Sequence, residues 1–215
     1  MLDTNFRCPN CDSKDLEIIY EVEQIPVHSV NLVADHEQAL AYPTGNMILG
    51  YCYHCTFITN VTFDPEKMQY ADDYEETQGY SLTFRDFHQN LAEDLIDRLG
   101  LQEKTVLEIG CGKGDFLELL VNAGAGRAIG FDPAWVAGRM KSGMQDQIRI
   151  FKENYSSKHA GIEADLYCCK MTLEHIPRTR EFVQMLRQSI GDRKNVNIFF
   201  QVPDTGRILG EQAFQ

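Results

Sequence analysis

The sequence has no uninterrupted run of about eighteen apolar residues, so no segment is a membrane-span candidate. Its opening residues, MLDTNFRCPNC, lack the basic and then apolar profile of a secretory signal, which points to a cytoplasmic chain. Basic residues are scarce: 20 Lys and Arg against 32 Asp and Glu leave a net charge of −12. A phosphate backbone would be repelled by most of such a surface, which argues against a general nucleic-acid binder. Internal repeats and low-complexity tracts are also missing. The 43% hydrophobic and 24% charged content suits a soluble globular chain of one domain or two small ones.

Cysteine is the residue in informative supply. Seven cysteines without a signal peptide point to thiols or metal ligands rather than a disulfide framework. Four of them form two knuckles, Cys8-Pro-Asn-Cys11 and Cys52-Tyr-His-Cys55. Two intervening residues let one turn aim both sulfurs at a point, and two knuckles make a tetrahedral four-cysteine zinc site. Such a site has no open position, so the expected Zn2+ is structural. The gap between knuckles exceeds the usual zinc-ribbon spacing, which requires an inserted hairpin or loop. His54 is a conceivable substitute ligand, but packing or solvent exposure suits it better. Residues 1–63 carry little apolar mass, and zinc would supply the stability they lack. Cys111, Cys168 and Cys169 read as small buried hydrophobes.

Along residues 1–63, Leu16, Ile18, Tyr20 and Val22 alternate as in a half-buried strand, and Asn46–Cys52 reads similarly. No helical periodicity is evident there. Residues 64–80 form an acidic, tyrosine-rich linker. From Ser81 the pattern turns helical, with Phe84, Phe87, Leu91, Leu95 and Leu99 on one face and Gly100 as the stop. Residues 81–215 then alternate. Strands are expected at Thr105–Ile109, Arg127–Phe131, Gln147–Phe151, Asp165–Cys169 and Asn195–Val202. Helices are expected at Phe116–Val121, Ala134–Met140 and around Phe182–Ile190. This β-α alternation implies an α/β fold with a parallel sheet wrapped by crossover helices.

The stretch Val106-Leu-Glu-Ile-Gly-Cys-Gly-Lys-Gly-Asp-Phe-Leu117 is a strand, a glycine loop and a helix start. Glycines at 110, 112 and 114 allow a tight turn and close approach of a ligand, where open α/β sheets bind ligands. A dinucleotide fingerprint would place glycine at 115, where Asp115 stands, and a Walker loop is absent. Glu108 would repel a pyrophosphate and suits a ligand bearing an ammonium and a sulfonium. Asp132, at the end of the second strand, is placed to accept hydrogen bonds from ribose hydroxyls.

At these residues the chain resembles the class I methyltransferases: LEIGCGKG matches their first motif and GFDP their second. The resemblance implies a Rossmann-like sheet. It also implies that Glu108, Gly110, Gly112 and Gly114 line the amino-acid half of S-adenosylmethionine, with Asp132 holding its ribose. Asn154 and Tyr155 follow the third strand, where the family contacts adenine; turn hydrogen bonding is an equal alternative.

A four-cysteine module before such a domain resembles the nucleotide-sugar C-methyltransferases and their relatives. The linker Tyr74-Glu-Glu-Thr-Gln78-Gly-Tyr-Ser81 is similar to their segment over the cofactor, which implies a grip by Tyr74 and Gln78 on the methionine carboxylate. A solvated acidic linker explains those residues equally well. Met171-Thr-Leu-Glu174-His175-Ile is similar to their active-site Leu-Glu-His stretch. Glu174 and His175 are therefore general acid/base candidates, since C-methylation needs a base beside a carbonyl; beginning a helix is the other reading. The expected reaction is methyl transfer to a small-molecule acceptor, a nucleotide-linked deoxysugar in that group. An O- or N-methyltransferase of a natural product, or a cofactor-binding interaction module without activity of its own, are the rivals. A nicotinamide oxidoreductase fares poorly because of Glu108 and Asp115. Members of the group continue past the fifth strand with two more strands and a C-terminal domain. The resemblance therefore implies an open sheet edge here, in a fragment or in a chain completed by another copy or partner.

Overall fold

A computed structural model describes residues 6–27, 33–64, 79–136 and 143–211. The chain divides into two compact units, one of residues 1–75 with 177–182, the other of residues 76–176 and 183–214.

The first unit is an antiparallel sheet in the order β1-β2-β3, built from β1 (Leu16–Pro26), β2 (Thr44–Cys52) and β3 (Ile58–Asn60). The buried apolar residues of its N-terminal segment are few: Cys8, Ile48, Leu49 and Cys52. Between β1 and β2 lies a short helix, α1 (His36–Leu40), where the sequence pattern shows no helical periodicity. Nothing in α1 is buried, so no apolar stripe marks it. It is started locally, by Asp35 accepting a hydrogen bond from the Gln38 N–H at 2.9 Å. β3 likewise escapes the sequence pattern, being three residues long.

The second unit is Rossmann-like. It opens with α2 (Leu82–Leu99), capped by Ser81, whose hydroxyl accepts from Phe84 N–H, and closed by Gly100 at φ 61°. The expected apolar face is rotated. Ala92, Leu95 and Ile96 are the buried residues, whereas Phe87 and Leu99 are exposed. Five parallel strands follow in the order β6-β5-β4-β7-β8: β4 (Thr105–Ile109), β5 (Arg127–Phe131), β6 (Ile148–Phe151), β7 (Leu166–Lys170) and β8 (Asn197–Gln201). Helices α3 (Asp115–Asn122) and α4 (Thr179–Ile190) lie where expected, and α5 (Thr205–Glu211) follows β8. The expected helix Ala134–Met140 is not seen in its described part: Pro133 and Ala134 form a turn, 135–136 have no regular structure, and 137–140 lie outside the described residues.

Side chains alternate across the sheet. Val106, Ala128, Ile148, Leu166 and Cys168 join α2 and α3 in one core cluster. On the other face Phe131 stacks with Phe151 and meets Tyr155 edge-on at 5.1 Å, and Tyr155 approaches Tyr167. Arg193 fastens that face: it donates to the Tyr167 hydroxyl at 2.9 Å and to the Ile190 and Ala164 carbonyls. Strand order reverses at β4, with β5 on one side and β7 on the other. The crevice beyond the carboxyl end of β4 is therefore flanked by two loops, residues 110–114 and 171–176. Among the described residues no helix is long and apolar enough to cross a membrane.

Candidate functional site

The loop after β4 is held from two directions. Gly110 and Cys111 donate their N–H groups to the Phe131 carbonyl at 2.8 and 3.3 Å. Asp132, just past β5, clasps it from the side: one carboxylate oxygen accepts from Gly112 N–H and the other from Ala134 N–H, both at 2.8 Å. Gly110, Gly112 and Gly114 have φ of 73°, 53° and 91°, conformations that side chains disfavour. Two of these glycines also serve packing. A Cβ at Gly110 would fall 2.1 Å from the Thr172 hydroxyl oxygen, and one at Gly114 would fall 2.8 Å from Ile150.

Glu108 projects to the α3 face of the sheet and is 2% exposed. Its Oε1 lies 3.6 Å from the Lys170 ammonium, whose side chain is 9% exposed and which sits 4.4 Å from the Phe116 ring centroid. Its Oε2 has no hydrogen-bond partner among the described residues. Burial lifts this carboxyl to about 6; Lys170 opposes the rise, while Asp132 and Asp115 add to it. His88 on α2 sits 4.0 Å from the Phe84 ring and 5.4 Å from Phe116. Burial, then Lys170, depresses it to about 4, so it is neutral at pH 7. Two further carboxylates and one ammonium thus bear on Glu108. A site with that balance and a buried orphan acceptor fits a cationic ligand and opposes a diphosphate.

The loop after β7 carries Glu174 and His175 in a single 3-10 turn, Leu173–His175. Both residues are exposed, yet partial desolvation of the Glu174 carboxyl raises it, against its own backbone N–H and His175. Met171 adopts φ 47°, and the Thr172 hydroxyl donates to the Lys170 carbonyl at 2.9 Å. Asn154 is exposed. Tyr155 is a core residue on the sheet face opposite Glu108, packed against Phe131 and His159. Tyr74 and Gln78 lie outside the described residues. Cys111, Cys168 and Cys169 are buried, and burial pushes the Cys169 thiol to about 12 and Cys168 well up. Lys170, His88 and Thr172 escape sequence reasoning. The sole signal for Lys170 is a charge at the end of an otherwise apolar strand.

In the first unit the Sγ atoms of Cys8, Cys11, Cys52 and Cys55 lie within 4.8 Å of one another. Cys8–Cys55 and Cys11–Cys52 are each 3.6 Å apart. Zinc–sulfur bonds of about 2.3 Å in a tetrahedron give sulfur separations of about 3.8 Å, so the cluster has the size for the ion. Both knuckles use one turn: Asp12 N–H donates to Cys8 O and Thr56 N–H to Cys52 O, each at 2.8 Å, with Asp12 and Thr56 left-handed. Burial opposes ionisation of Cys55, but the Asn10 amide, the Phe57 N–H and the neighbouring thiols outweigh it and draw the thiol down to about 6. His54 is exposed.

A family model described as "Methyltransferase domain" matches residues 84–213, more than half the chain. A curated relative, the ubiquinone biosynthesis O-methyltransferase of Escherichia coli O139:H28, is 35% identical over 107 residues, covering 47% of this chain and 43% of its own. The chain thus spans under half the length of that relative. Among solved structures, the DhpI-SAM-HEP complex matches with TM-score 0.40 and 17% identity over 65% of this chain and 73% of the other. An O-methyltransferase family protein from Burkholderia thailandensis matches with TM-score 0.38 and 15% identity over 58% and 42%.

Proposed function

The chain belongs to the methyltransferase-domain family, and from that premise we propose that it transfers a methyl group from S-adenosylmethionine to a small-molecule acceptor. The observation that carries the reading is the carboxylate clasp of Asp132 on Gly112, beside the buried Glu108, at the sheet's switch point. When bound, the cofactor supplies an electrophilic methyl on a sulfonium. The chain's part is to bind, orient and keep the charge balance negative. Asp132 fixes the loop and retains lone pairs for ribose hydroxyls. Gly110, Gly112 and Gly114 leave the loop backbone open to the ligand, and Glu108 favours its cationic end. Asn154 stands at the rim for adenine, while Tyr155 supports that rim from below. Tyr74 and Gln78 remain candidates for the methionine carboxylate. In calorimetric titration with S-adenosylhomocysteine, Asp132→Ala is expected to weaken binding at least about tenfold, the loss of one charged hydrogen-bond acceptor. Equal affinity in the variant removes Asp132 from the site.

The curated relatives favour O-methylation, since they are named as O-methyltransferases. The four-cysteine cluster ahead of the domain favours the second reading, C-methylation of a nucleotide-linked deoxysugar. In that case exposed His175, with Glu174, removes the proton beside the acceptor's carbonyl. Deuterium exchange into a carbonyl acceptor separates the two. A C-methylating chain exchanges and loses exchange in His175→Ala, whereas an O-methylating one never exchanges. Zinc in the cluster is structural in both readings, and elemental analysis tests it: about one zinc per chain is expected, lost on Cys8→Ser. The organisation into a zinc-binding module over 1–63, a linker over 64–80 and a cofactor domain over 81–215 accompanies the proposal.

A further inference from the structure

Lys170 is an ammonium placed where a parallel sheet normally holds an apolar side chain. It ends β7, two residues beyond Cys168 on the same face, and Cys168 is in register with Glu108. Across the other edge of β7 its register partner is Gln201 of β8. This cation, its side chain 9% exposed, therefore has an acceptor residue on either side, the buried Glu108 and the half-buried Gln201, and each keeps a buried oxygen without a partner among the described residues: Oε2 of Glu108 and Oε1 of Gln201. A buried ion pair with orphan acceptors is a poor stabiliser, because apolar residues of similar volume do as well or better. Orphan acceptors at the carboxyl end of a switch-point crevice fit instead a site awaiting donors.

Lys170 is also tied to the glycine loop at both ends. Its ammonium lies over Phe116, in the first turn of the helix that Gly114 caps. Its carbonyl accepts the hydroxyl of Thr172, whose side chain abuts Gly110. We propose that Lys170 is a positioning residue for cofactor binding: it holds the buried Glu108 carboxylate ionised on the α3 face, ready for the ligand's cationic end. This deepens the methyltransferase reading and rests on it. The groups facing Glu108 are Lys170 and Cys168 from β7, Asp115 from α3, Asp132 from the loop after β5, and, through Lys170, His88 from α2. Lys170 is the only cation in that set. Burial, Asp132 and Asp115 all favour a protonated Glu108, and Lys170 alone opposes them.

The test is calorimetric titration of the full chain with S-adenosylhomocysteine from pH 5.5 to 8.5, on the unaltered protein, Lys170→Met, Lys170→Arg and Glu108→Gln. In the unaltered protein affinity is expected to fall below about pH 6, approaching tenfold per pH unit as one proton is taken up. Lys170→Met should shift that fall upward, so that affinity at pH 7 drops about tenfold or more and recovers toward pH 8.5. Lys170→Arg should keep the original profile, and Glu108→Gln should bind weakly without the acid-side step. The infrared band of a protonated carboxyl, absent in Glu108→Gln, should persist to higher pH in Lys170→Met. A merely structural lysine gives a uniform loss at every pH and no change in that band. A uniform loss, or a Lys170→Met profile matching the unaltered protein, overturns the inference while leaving the cofactor reading intact. Should Lys170→Met not fold, an acid-side step retained in Glu108→Gln overturns it equally. No binding by the unaltered protein at any pH overturns both.

Discussion

Gly110 and Thr172 come from opposite sides of the switch point, and their contact joins the two loops that define the crevice. A methyl group at Gly110 meets the Thr172 hydroxyl oxygen, Cγ2 and Cβ at 2.1, 2.5 and 2.8 Å. It must also hold φ 73°, a conformation costing an L-residue roughly 1–2 kcal/mol. Gly110→Ala is therefore expected to cost about 2 kcal/mol or more in urea unfolding, the backbone share plus the clash. Adding Thr172→Ala should recover the part of the clash due to the hydroxyl and Cγ2, leaving the Cβ contact at 2.8 Å and the backbone part. Recovery to full stability would show that φ carries no cost here. At this scale the sequence was half legible. Three glycines advertise a tight loop, but Gly110 and Gly114 are required by Thr172 and Ile150 as much as by any ligand. Lys170 was illegible because a lone charge at a strand end carries no periodic signal, and its meaning comes from a partner 62 positions away (170 − 108).

Among the elements, α2 shows how packing overrides pattern. Its sequence offers a phenylalanine-rich stripe, yet the buried line runs through Ala92, Leu95 and Ile96, with His88 turned toward Phe116. The small Ala92 allows close approach to the sheet core, a preference that hydrophobicity alone does not encode. The strands were legible because parallel strands covered on both faces read as short apolar runs. The described start of the expected Ala134–Met140 helix is not helical, because Pro133 and the Asp132–Ala134 bond favour a turn there. The His88 environment has a measurable consequence. Its folded value of about 4 lies below the ordinary 6.5, so between those limits the unfolded chain binds more protons. The contribution of His88 is thus fully present above pH 6.5 and is lost as pH falls toward 4. Thermal midpoints should decline over that window, and His88→Leu should flatten the decline. An unchanged slope in the variant would assign it to other groups.

For the whole molecule, the two units are held by different means. The second has a continuous apolar core, with Leu107, Leu117, Leu120 and Leu186 essentially inaccessible. The N-terminal segment of the first buries little besides its cysteine cluster, so the proposed zinc would be its main cross-link. A strong chelator at neutral pH is expected to abolish amide protection in β1–β3 and to leave β4–β8 protected in hydrogen exchange. Protection in β1–β3 that survives complete metal removal would make the antiparallel ribbon self-sufficient.

The pairing of β4 with β7 joins Val106 to Leu166, 60 positions apart (166 − 106), while β4 and β5 meet across a short crossover. Closing the longer loop carries the greater entropic penalty before any contact rewards it. The half of the crevice bearing Lys170, Thr172 and the 3-10 turn is therefore expected to mature late in refolding, after the glycine loop. Ligand capture during refolding would then time the moment at which the last central strand docks.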